Sequence, residues 1–561
     1  MKISLVRTSQ FAFAFVAAAC APTNQLQPSH TTPAITAADA RARIYAIADD
    51  SMKGREAGGI GNFMMTNYIA HEMSRLGLEP AGENGTWFQT IPMVRRIVDS
   101  TSALSVDGRP LKLFTDFAPL RPTETLRTRI LLNRKTIPVI YGGRAGDSVN
   151  LLDPAEAAGK IVVLDAPLGA NGTPTGVYAT PLALSVARLP KAAAVAVAAL
   201  DLITPATANG LRRGAGLWVN IAGTPPIALV ISQSAAEMMM GAPLASLRTG
   251  TAGRNVDVNV RFIEQPVAYP ARNVVAIVRG SDPALRNEYV AIGAHSDHLG
   301  MLATPVDHDS LKAYNRIMRP EGAQTRSGAP TAAQWTAIRS IRDSLRQIRP
   351  PRMDSVYNGA DDDGSGSVAL LEIAESLASG ARPRRSILLV WHTAEEAGLL
   401  GSAWFTMHTT VPHDSITAQL NMDMVGRGTL ADLPIGGPRH LEVIGSRRLS
   451  TDLGNVVDSV NATRKVPYLI DYQFDAPRHP LNRYCRSDHY MYARTGIPIA
   501  YMSRGYHQDY HQVTDEPQYI SYDGLANVAG FVHDVALSLA NRNDRVRVDK
   551  PKPDPFAPCR Q

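Results

Sequence analysis

Strand-like and helix-like segments alternate over the C-terminal half of the chain, and this alternation restricts the fold more than any other feature. The apolar runs NVVAIVRG, EYVAIGAH, SILLVWH, ITAQLNMD and IPIAYMS are separated by a helical segment, SGSVALLEIAESLA, and by a second helix from about Leu399. Strands that alternate with helices predict an α/β sandwich built on a largely parallel sheet.

A different pattern interrupts this domain near its start. Between residues 130 and 262, short β-like runs such as TIPVIYGG, GKIVVLDAP and PPIALVIS are broken by Gly/Pro turns. We therefore predict an α+β module at 130–262, inserted into a main domain formed by 36–129 and 263–545. A helical insertion at 303–356 is either a surface cover or a lid over the active site, and 546–561 is a C-terminal tail.

The N-terminus reads as an export signal, because Lys2 and Arg7 precede the apolar stretch FAFAFVAAA, which is too short to span a bilayer. We predict a signal peptide at 1–20 and a flexible tether at 21–35. Cys20 is a candidate for lipidation, with ordinary cleavage nearby as the alternative. Both place the protein outside the cytoplasm, as a periplasmic or outer-membrane lipoprotein or as a secreted protein. Lipidated Cys20 would be its only membrane anchor.

Charge and cysteine content exclude two other classes. The formal charge is +6, and no run of Lys or Arg is interleaved with aromatic residues, so we expect no nucleic-acid partner. Beyond the signal only Cys485 and Cys559 remain, so disulfides are not the framework of the fold. The two cysteines either pair with each other or stay free.

Potential metal ligands follow four of the predicted strands. His295, Glu396 and Asp423 each come just after a strand, and the last strand runs into RGYHQDYHQVTDE. In open α/β sheets the carboxyl ends of the strands are where active sites form. The late histidine is left open by this argument, since His507, His511 and His489 are all candidates.

Three consecutive aspartates in NGADDDGSG need a positive partner, because each makes the others harder to ionise. We predict two zinc ions that share Asp362 as a bridge. His295 and Asp423 would complete one position, and Glu396 with the late histidine the other. Three protein ligands each would leave room for a bridging hydroxide. The alternative is that the aspartates cap the N-terminus of the following helix and bind no metal. We expect Asp363 to have this capping role.

Two further carboxylates have predicted roles in this site. Glu395, beside Glu396, is the candidate general base that takes a proton from water and delivers one to the leaving amine. Asp297 would accept a hydrogen bond from the imidazole of His295 and fix its tautomer. Taken singly, each motif is more often a solvated loop, and the prediction depends on their combination.

The motifs GAHSDHLG, NGADDDGSG, AEEAGLLGS, NMDMVGR and DYHQVTDE, in this order, resemble those of the cocatalytic dizinc exopeptidases of peptidase clan MH. The similarity is to the bacterial family that includes secreted leucyl-type aminopeptidases. It implies a three-layer sandwich with a mostly parallel mixed sheet, and zinc on His295, Asp362, Glu396, Asp423 and His511 with Glu395 as the base. The long arginine-rich insertion after HLG departs from the family pattern, so substrate access is not implied.

The resemblance has three further implications. The inserted module is similar to a protease-associated domain, the peptide bond between Asp362 and Asp363 is cis, and Tyr510 matches a tyrosine that stabilises the tetrahedral intermediate in carboxypeptidase relatives.

We therefore expect an aminopeptidase acting on peptides. Carboxypeptidase activity is the runner-up because Arg483, Arg486 and Arg504 could bind a carboxylate. Glutaminyl cyclisation and a non-catalytic receptor-like ectodomain are further alternatives.

Overall fold

The computed structural model describes residues 31–120, 129, 131–169, 171–177, 179–203, 207–208, 211, 216–219, 226–325, 328–554, 559 and 561. The predicted signal peptide, Cys20 and the first part of the tether, up to residue 30, lie outside the described residues. None of the helices in the described part of the chain has the length and apolar character needed to cross a membrane.

The strands fall into two large sheets and one hairpin. In chain order they are β1 (Glu79–Pro80), β2 (Phe88–Ile91), β3 (Met93–Val98), β4 (Ala103–Val106), β5 (Arg109–Leu111), β6 (Phe117–Leu120), β7 (Leu131–Arg144), β8 (Ile161–Asp165), β9 (Ala194–Ala198), β10 (Gly216–Val219), β11 (Ile227–Ile231), β12 (Ala252–Pro266), β13 (Ala271–Val278), β14 (Tyr289–His295), β15 (Met301–Asp307), β16 (Met353–Val356), β17 (Ser386–His392), β18 (Ile416–Met422), β19 (His440–Ile444), β20 (Leu469–Asp471) and β21 (Ile499–Ser503).

The α-helices connect these strands or pack on them. They are α1 (Ala37–Ile47), α2 (Ile60–Arg75), α3 (Ala179–Arg188), α4 (Gln233–Met240), α5 (His308–Met318), α6 (Ala332–Ile348), α7 (Gly364–Ser379), α8 (Leu400–Met407), α9 (Thr451–Thr463), α10 (His489–Arg494) and α11 (Tyr522–Asn541).

The main sheet has nine strands, in the order β1-β13-β17-β14-β18-β21-β19-β20, with β2 also paired to β13. Its four central strands, β17, β14, β18 and β21, run parallel. The pairs of β13 with β17 and of β21 with β19 are antiparallel. The sheet is therefore mixed, as expected: its centre and its outer pair β19–β20 are parallel, and its antiparallel pairs are those of β13 and the pair of β21 with β19.

Helices cover both faces of the main sheet, as expected for three layers. Residues along β17 alternate between the faces, with Leu389 and Trp391 packing on one side and Leu388 and Val390 on the other. Helices α1, α2, α7, α9 and α11 cover the first side, and α8 and α10 cover the second. Strands buried on both faces read as continuous apolar runs, which explains the sequence pattern.

The second sheet has ten strands, and it begins earlier in the chain than we predicted. Strand β3 pairs with β12 and β10, while β4 pairs with β12 and β6 pairs with β11. The predicted boundary at 130 is therefore wrong, because the sheet takes strands from Met93 onward. Pro92 separates β2, which belongs to the main sheet, from β3, and no local pattern in the sequence reveals the different pairing partners of these two strands.

The insertion after β14 consists of the antiparallel hairpin β15–β16 and the helices α5 and α6. Ala313 and Met318 of α5 pack on Ile338 of α6, which joins the two helices. Helix α5 lies toward the main domain, whereas Ile348 at the end of α6 is 79% exposed.

Cys485 and Cys559 form a disulfide. This result decides between the two alternatives left open by the sequence. The disulfide ties the C-terminal tail to the loop that precedes α10.

Candidate metal centre

The five predicted ligands converge at the carboxyl edge of the main sheet. His295 ends β14, Glu396 follows β17, Asp423 directly follows β18 and Asp362 lies just before α7. The fifth, His511, lies in the loop after β21. Because these four strands are parallel neighbours, their carboxyl ends meet at one edge.

Asp362 lies between two groups of side chains. Its Oδ1 is 3.2 Å from His295 Nε2, and its Oδ2 is 3.1 Å from His511 Nε2. Asp423 Oδ1 is 3.9 Å from His295 Nε2, and Glu396 Oε2 is 3.1 Å from His511 Nε2. The structure thus places His295 and Asp423 on one side of Asp362, with Glu396 and His511 on the other.

The two remaining candidates for the late histidine lie elsewhere. His507 Nε2 is 3.3 Å from Asp361 Oδ2, and His489 stacks on Tyr501 with a ring separation of 4.5 Å. Burial lowers the pKa of His489 to about 3, so this imidazole is neutral. The choice of His511 agrees with this geometry.

The three aspartates point to three different places. Asp361 accepts a hydrogen bond from the Gly426 amide at 2.6 Å, while Asp363 accepts one from the Gly366 amide at 2.9 Å and caps α7. Asp363 also accepts from the His295 amide at 3.0 Å, which ties β14 to the start of α7. Only Asp362 faces the cluster. The peptide bond between Asp362 and Asp363 is cis, as the resemblance implies.

Glu395 lies next to the cluster, with its Oε2 3.9 Å from His295 Nε2. Burial raises the pKa of Glu395 well above its ordinary value; the charge of His295 opposes this rise, and Glu396 adds to it. Ala394 has a φ of 57°, in the left-handed region that L-residues rarely adopt. The turn at Ala394 directly precedes Glu395 and Glu396, and the side chains of both glutamates lie in the cluster.

Asp297 forms hydrogen bonds with His295 and Glu395, but the atoms involved differ from those we predicted. His295 Nδ1 lies 3.1 Å from the Asp297 backbone carbonyl and 3.6 Å from its carboxylate, which is too far for a hydrogen bond. The carboxylate instead accepts the Glu395 amide at 3.1 Å. The nearer acceptor of His295 Nδ1 is therefore the backbone carbonyl and not the predicted carboxylate. A carbonyl acceptor fixes the same tautomer and leaves Nε2 free.

Tyr510 lies beside the cluster, and its ring stacks on His511 at a separation of 3.8 Å. Its hydroxyl accepts a hydrogen bond from Arg486 Nη2 at 3.1 Å. Burial raises the pKa of Tyr510 well above its ordinary value, and the Asp362 carboxylate adds to this rise. The phenol therefore keeps its proton at neutral pH.

Sequence reasoning missed two residues. His298 Nδ1 is 2.7 Å from Glu396 Oε1 and 3.9 Å from Asp362 Oδ2, so it forms a possible ligand group with these two carboxylates. Its signal was its position three residues after His295 in HSDH. Asp488 is fully buried nearby, and burial raises its pKa to about 7; its sequence context, RSDHY, carried no metal-site pattern.

The cluster is suited to a divalent cation. In the described part of the chain, no lysine or arginine forms an ion pair with Asp362, Glu395, Glu396 or Asp423. Despite these short distances, the buried atoms His295 Nε2 and Asp362 Oδ2 have no hydrogen bond of acceptable geometry among the described residues. Buried charges are normally paired or coordinate metals. Imidazole nitrogens with carboxylate oxygens are ligands that zinc accepts.

A third group that could hold a metal is formed by His308, Asp354 and Glu516. Unlike the cluster around Asp362, it has an arginine beside its carboxylates. Arg352 contacts Glu516 and lies 3.8 Å from Asp354 Oδ2. Arginine therefore supplies the positive charge in this group, and we interpret it as an ion-pair network.

Comparison with known proteins gives the family. Residues 273–536 match the model for peptidase family M28, and this range contains every predicted site residue. We call the matched residues 273–536 the M28 domain.

The chain is also similar to curated proteins named leucine aminopeptidase 1. Leucine aminopeptidase 1 from Arthroderma otae is 27% identical over 221 residues, which are 36% of this chain and 55% of that protein. Leucine aminopeptidase 1 from Phaeosphaeria nodorum is 32% identical over 216 residues, 36% of this chain and 51% of that protein. The chain spans about half the length of the curated relatives it matches.

Among solved structures, the M28 domain and its neighbouring module are similar to an aminopeptidase from Aneurinibacillus sp. strain AM-1. That match has a TM-score of 0.47 and 15% identity, covering 92% of this chain and 96% of the other. BSAP, a zinc aminopeptidase from Bacillus subtilis, has a TM-score of 0.46 and 16% identity, with coverage of 93% and 99%.

Proposed function

We propose that the M28 domain is a two-zinc aminopeptidase, which removes the N-terminal residue of peptides. The observation that supports this proposal is the convergence of His295, His511, Asp362, Glu396 and Asp423, whose carboxylates form no ion pair with a lysine or arginine of the described residues. Relatives named leucine aminopeptidase support the choice of reaction.

Asp362 would bridge the two metal positions. His295 and Asp423 would complete one position, and Glu396 and His511 the other. Each position then has three protein ligands, which leaves room for water and substrate, as catalytic zinc sites require. His298 would hold Glu396 in place through their 2.7 Å contact.

Zinc at these positions would supply a water of lowered pKa, near 7, and would polarise the scissile carbonyl. Glu395 would take the proton of that water and deliver it to the leaving amine nitrogen, as a general base and then a general acid. Asp297 would keep Glu395 and His295 in position through its two hydrogen bonds.

Tyr510 would stabilise the oxyanion that forms on the substrate carbonyl. Because its oxygen accepts from Arg486, its own proton is available to donate. The stacking of its ring on His511 brings the phenol to the Glu396 side of the cluster.

Carboxypeptidase activity is weakened as an alternative by the partners of two arginines. Arg483 forms a buried ion pair with Glu442, and Arg504 donates to the Gly437 carbonyl at 2.9 Å. Of the three arginines considered, only Arg486, which contacts Tyr510, is left to recognise a substrate carboxylate.

Blocked dipeptides test the proposal directly. With two equivalents of zinc, we expect cleavage of a dipeptide amide with a free amino terminus and none of an N-acetyl dipeptide. The reverse preference would establish a carboxypeptidase. Cyclisation of an N-terminal glutamine by a one-zinc protein would establish a glutaminyl cyclase, and the absence of turnover despite bound zinc would favour a binding ectodomain.

We also infer that the protein is exported. The leader-like sequence at 1–20 and the disulfide between Cys485 and Cys559 support this inference, because disulfides persist in oxidising compartments. The second sheet would be the protease-associated module that the sequence resembles.

A further inference from the structure

Helix α5 of the insertion contacts the loop that carries His511. Lys312 and Asn315 of α5 both reach Asp509, which is completely buried two residues before His511. The Lys312 ammonium contacts Asp509 Oδ2, and Asn315 Nδ2 lies 3.3 Å from Asp509 Oδ1. The insertion therefore supplies two of the donors that satisfy this carboxylate.

The segment just after α5 holds the backbone on both sides of Asp509. Arg319 Nη1 donates to the carbonyl of Gln508 at 3.2 Å and lies 3.5 Å from that of Tyr510. The Ala323 amide donates to the Tyr506 carbonyl at 3.0 Å. Residues 506–510 are thus attached to the insertion at several points.

From its other side, Asp509 is held by the main domain. Thr514 Oγ1 donates to Asp509 Oδ1 at 2.7 Å, and Arg427, in the loop after β18, lies 3.3 Å from Asp509 Oδ2. Asp509 therefore joins the insertion, the loop after Asp423 and the end of its own loop.

His511 depends on such anchors more than the other candidate ligands do. Its φ of 57° lies in the left-handed region, and its side chain is 34% exposed, whereas those of His295 and Asp423 are buried at strand ends. A residue in this conformation persists only when the surrounding structure fixes it.

We propose that Asp509 is a positioning residue, held by Lys312 and Asn315, through which the insertion sets the zinc affinity of the position formed by Glu396 and His511. This inference rests on the two-zinc centre of the proposed function. The other position is formed by His295 and Asp423, at the ends of β14 and β18. Among the described residues, Lys312 and Asn315 form no hydrogen bond or ion pair with either of them.

Zinc binding to full-length Lys312→Met tests the proposal. The purified variant is dialysed against buffers of fixed free zinc, and the zinc-to-protein ratio is measured by mass spectrometry. We expect the affinity of one zinc to fall roughly 10- to 100-fold, the usual effect of losing a residue that supports a ligand. The affinity of the second zinc should stay unchanged. Arg339→Met, on the exposed face of α6, is the matched control and should bind both zinc ions as the wild type does.

A double-mutant cycle separates positioning through Asp509 from a general loss of structure. If Lys312 acts through Asp509, then Lys312→Met combined with Asp509→Asn should weaken zinc binding no more than the stronger single variant. Additive effects would overturn the proposal. If circular dichroism shows that Lys312→Met does not fold, Asn315→Ala decides by the same zinc measurement, with the same expected loss.

Two failures are distinguishable. A wild type that binds fewer than two zinc ions would remove the two-zinc centre and this inference together. A wild type that binds two, with unchanged affinities in a folded Lys312→Met or Asn315→Ala, would overturn only the positioning role.

Discussion

Two clusters of buried carboxylates in this protein differ in the side chains that lie beside their negative charge: one surrounds an arginine and the other contains histidines. Glu72, Glu372 and Glu375 surround Arg43, whose guanidinium lies 2.5 Å from Glu372 and from Glu375 and 3.3 Å from Glu72. We call these four residues the arginine cluster. Among the residues that the structure describes, the ion pairs of Asp362, Glu395, Glu396 and Asp423 are with histidines only.

The difference indicates where a cation is required. An arginine fork satisfies several carboxylate oxygens at once and cannot lose its charge, so the arginine cluster is complete as folded. Histidines are neutral when they bind a metal, so they do not neutralise the negative charge of the four carboxylates Asp362, Glu395, Glu396 and Asp423. The group of His308, Asp354 and Glu516 resembles the arginine cluster, because Arg352 supplies its positive charge.

The largest expected effect comes from Asp362→Ala, which removes the proposed bridge. Both zinc ions should be lost at free zinc concentrations that saturate the wild type, and peptide hydrolysis should fall by roughly 10⁴-fold or more. Glu375→Gln, which removes a carboxylate from the arginine cluster, is the control and should keep both metals. Retention of a full zinc complement in Asp362→Ala would contradict the bridge.

The next effect concerns the proposed base. Glu395→Gln preserves the shape of the side chain but cannot accept a proton, so kcat should fall by about 10²- to 10⁴-fold while zinc content is unchanged. Steady-state kinetics and metal analysis on the same sample measure both quantities. Near-normal turnover would exclude Glu395 from the mechanism.

The arginine cluster should respond in stability and not in metal content. Arg43→Met leaves Glu372 without its arginine partner and leaves Glu72 and Glu375 with Arg75 alone, so the free energy of unfolding should fall by about 3–5 kcal/mol. Arg75→Met, whose side chain is 31% exposed, should cost less. Denaturant titrations of the zinc-loaded proteins check this order, and an equal or larger loss for Arg75→Met would argue against the central role of Arg43.

The smallest effect is a pH dependence within the arginine cluster. Burial raises the pKa of Glu372 from 4.5 to about 7, although Arg43 lowers it. The folded protein therefore binds this proton more tightly than the unfolded chain does. The resulting stabilisation is present below pH 4.5 and is lost as the pH rises through 7. Relative to the wild type, Glu372→Gln should gain stability over this window, by up to about 3 kcal/mol; a difference that stays constant with pH would refute the assignment.

Much of the candidate site could be predicted, because its residues lie where apolar strands end. His295, Glu396 and Asp423 each follow a strand directly, and the parallel arrangement brings those ends together. The late histidine was harder, since His507 and His511 follow the same strand and only the three-dimensional course of the loop separates them. His298 was missed because one histidine of HSDH already satisfied the pattern.

Contacts between residues that are far apart in the sequence could not be predicted from local sequence patterns. Arg43, Glu72 and Glu375 each look like a solvated charge on a helix, and nothing local shows that the three helices meet. The start of the second sheet at Met93 was missed for the same reason, because β3 pairs with β10 and β12, which are more than a hundred residues away. The disulfide between Cys485 and Cys559 likewise depended on the folded course of the tail.

Anomalous scattering at the zinc edge, from a crystal of the full chain grown with zinc, tests the central claim most directly. The account predicts two peaks on either side of the Asp362 carboxylate, one beside His295 and Asp423 and the other beside Glu396 and His511, and none in the arginine cluster. A single peak, or peaks away from Asp362, would contradict it.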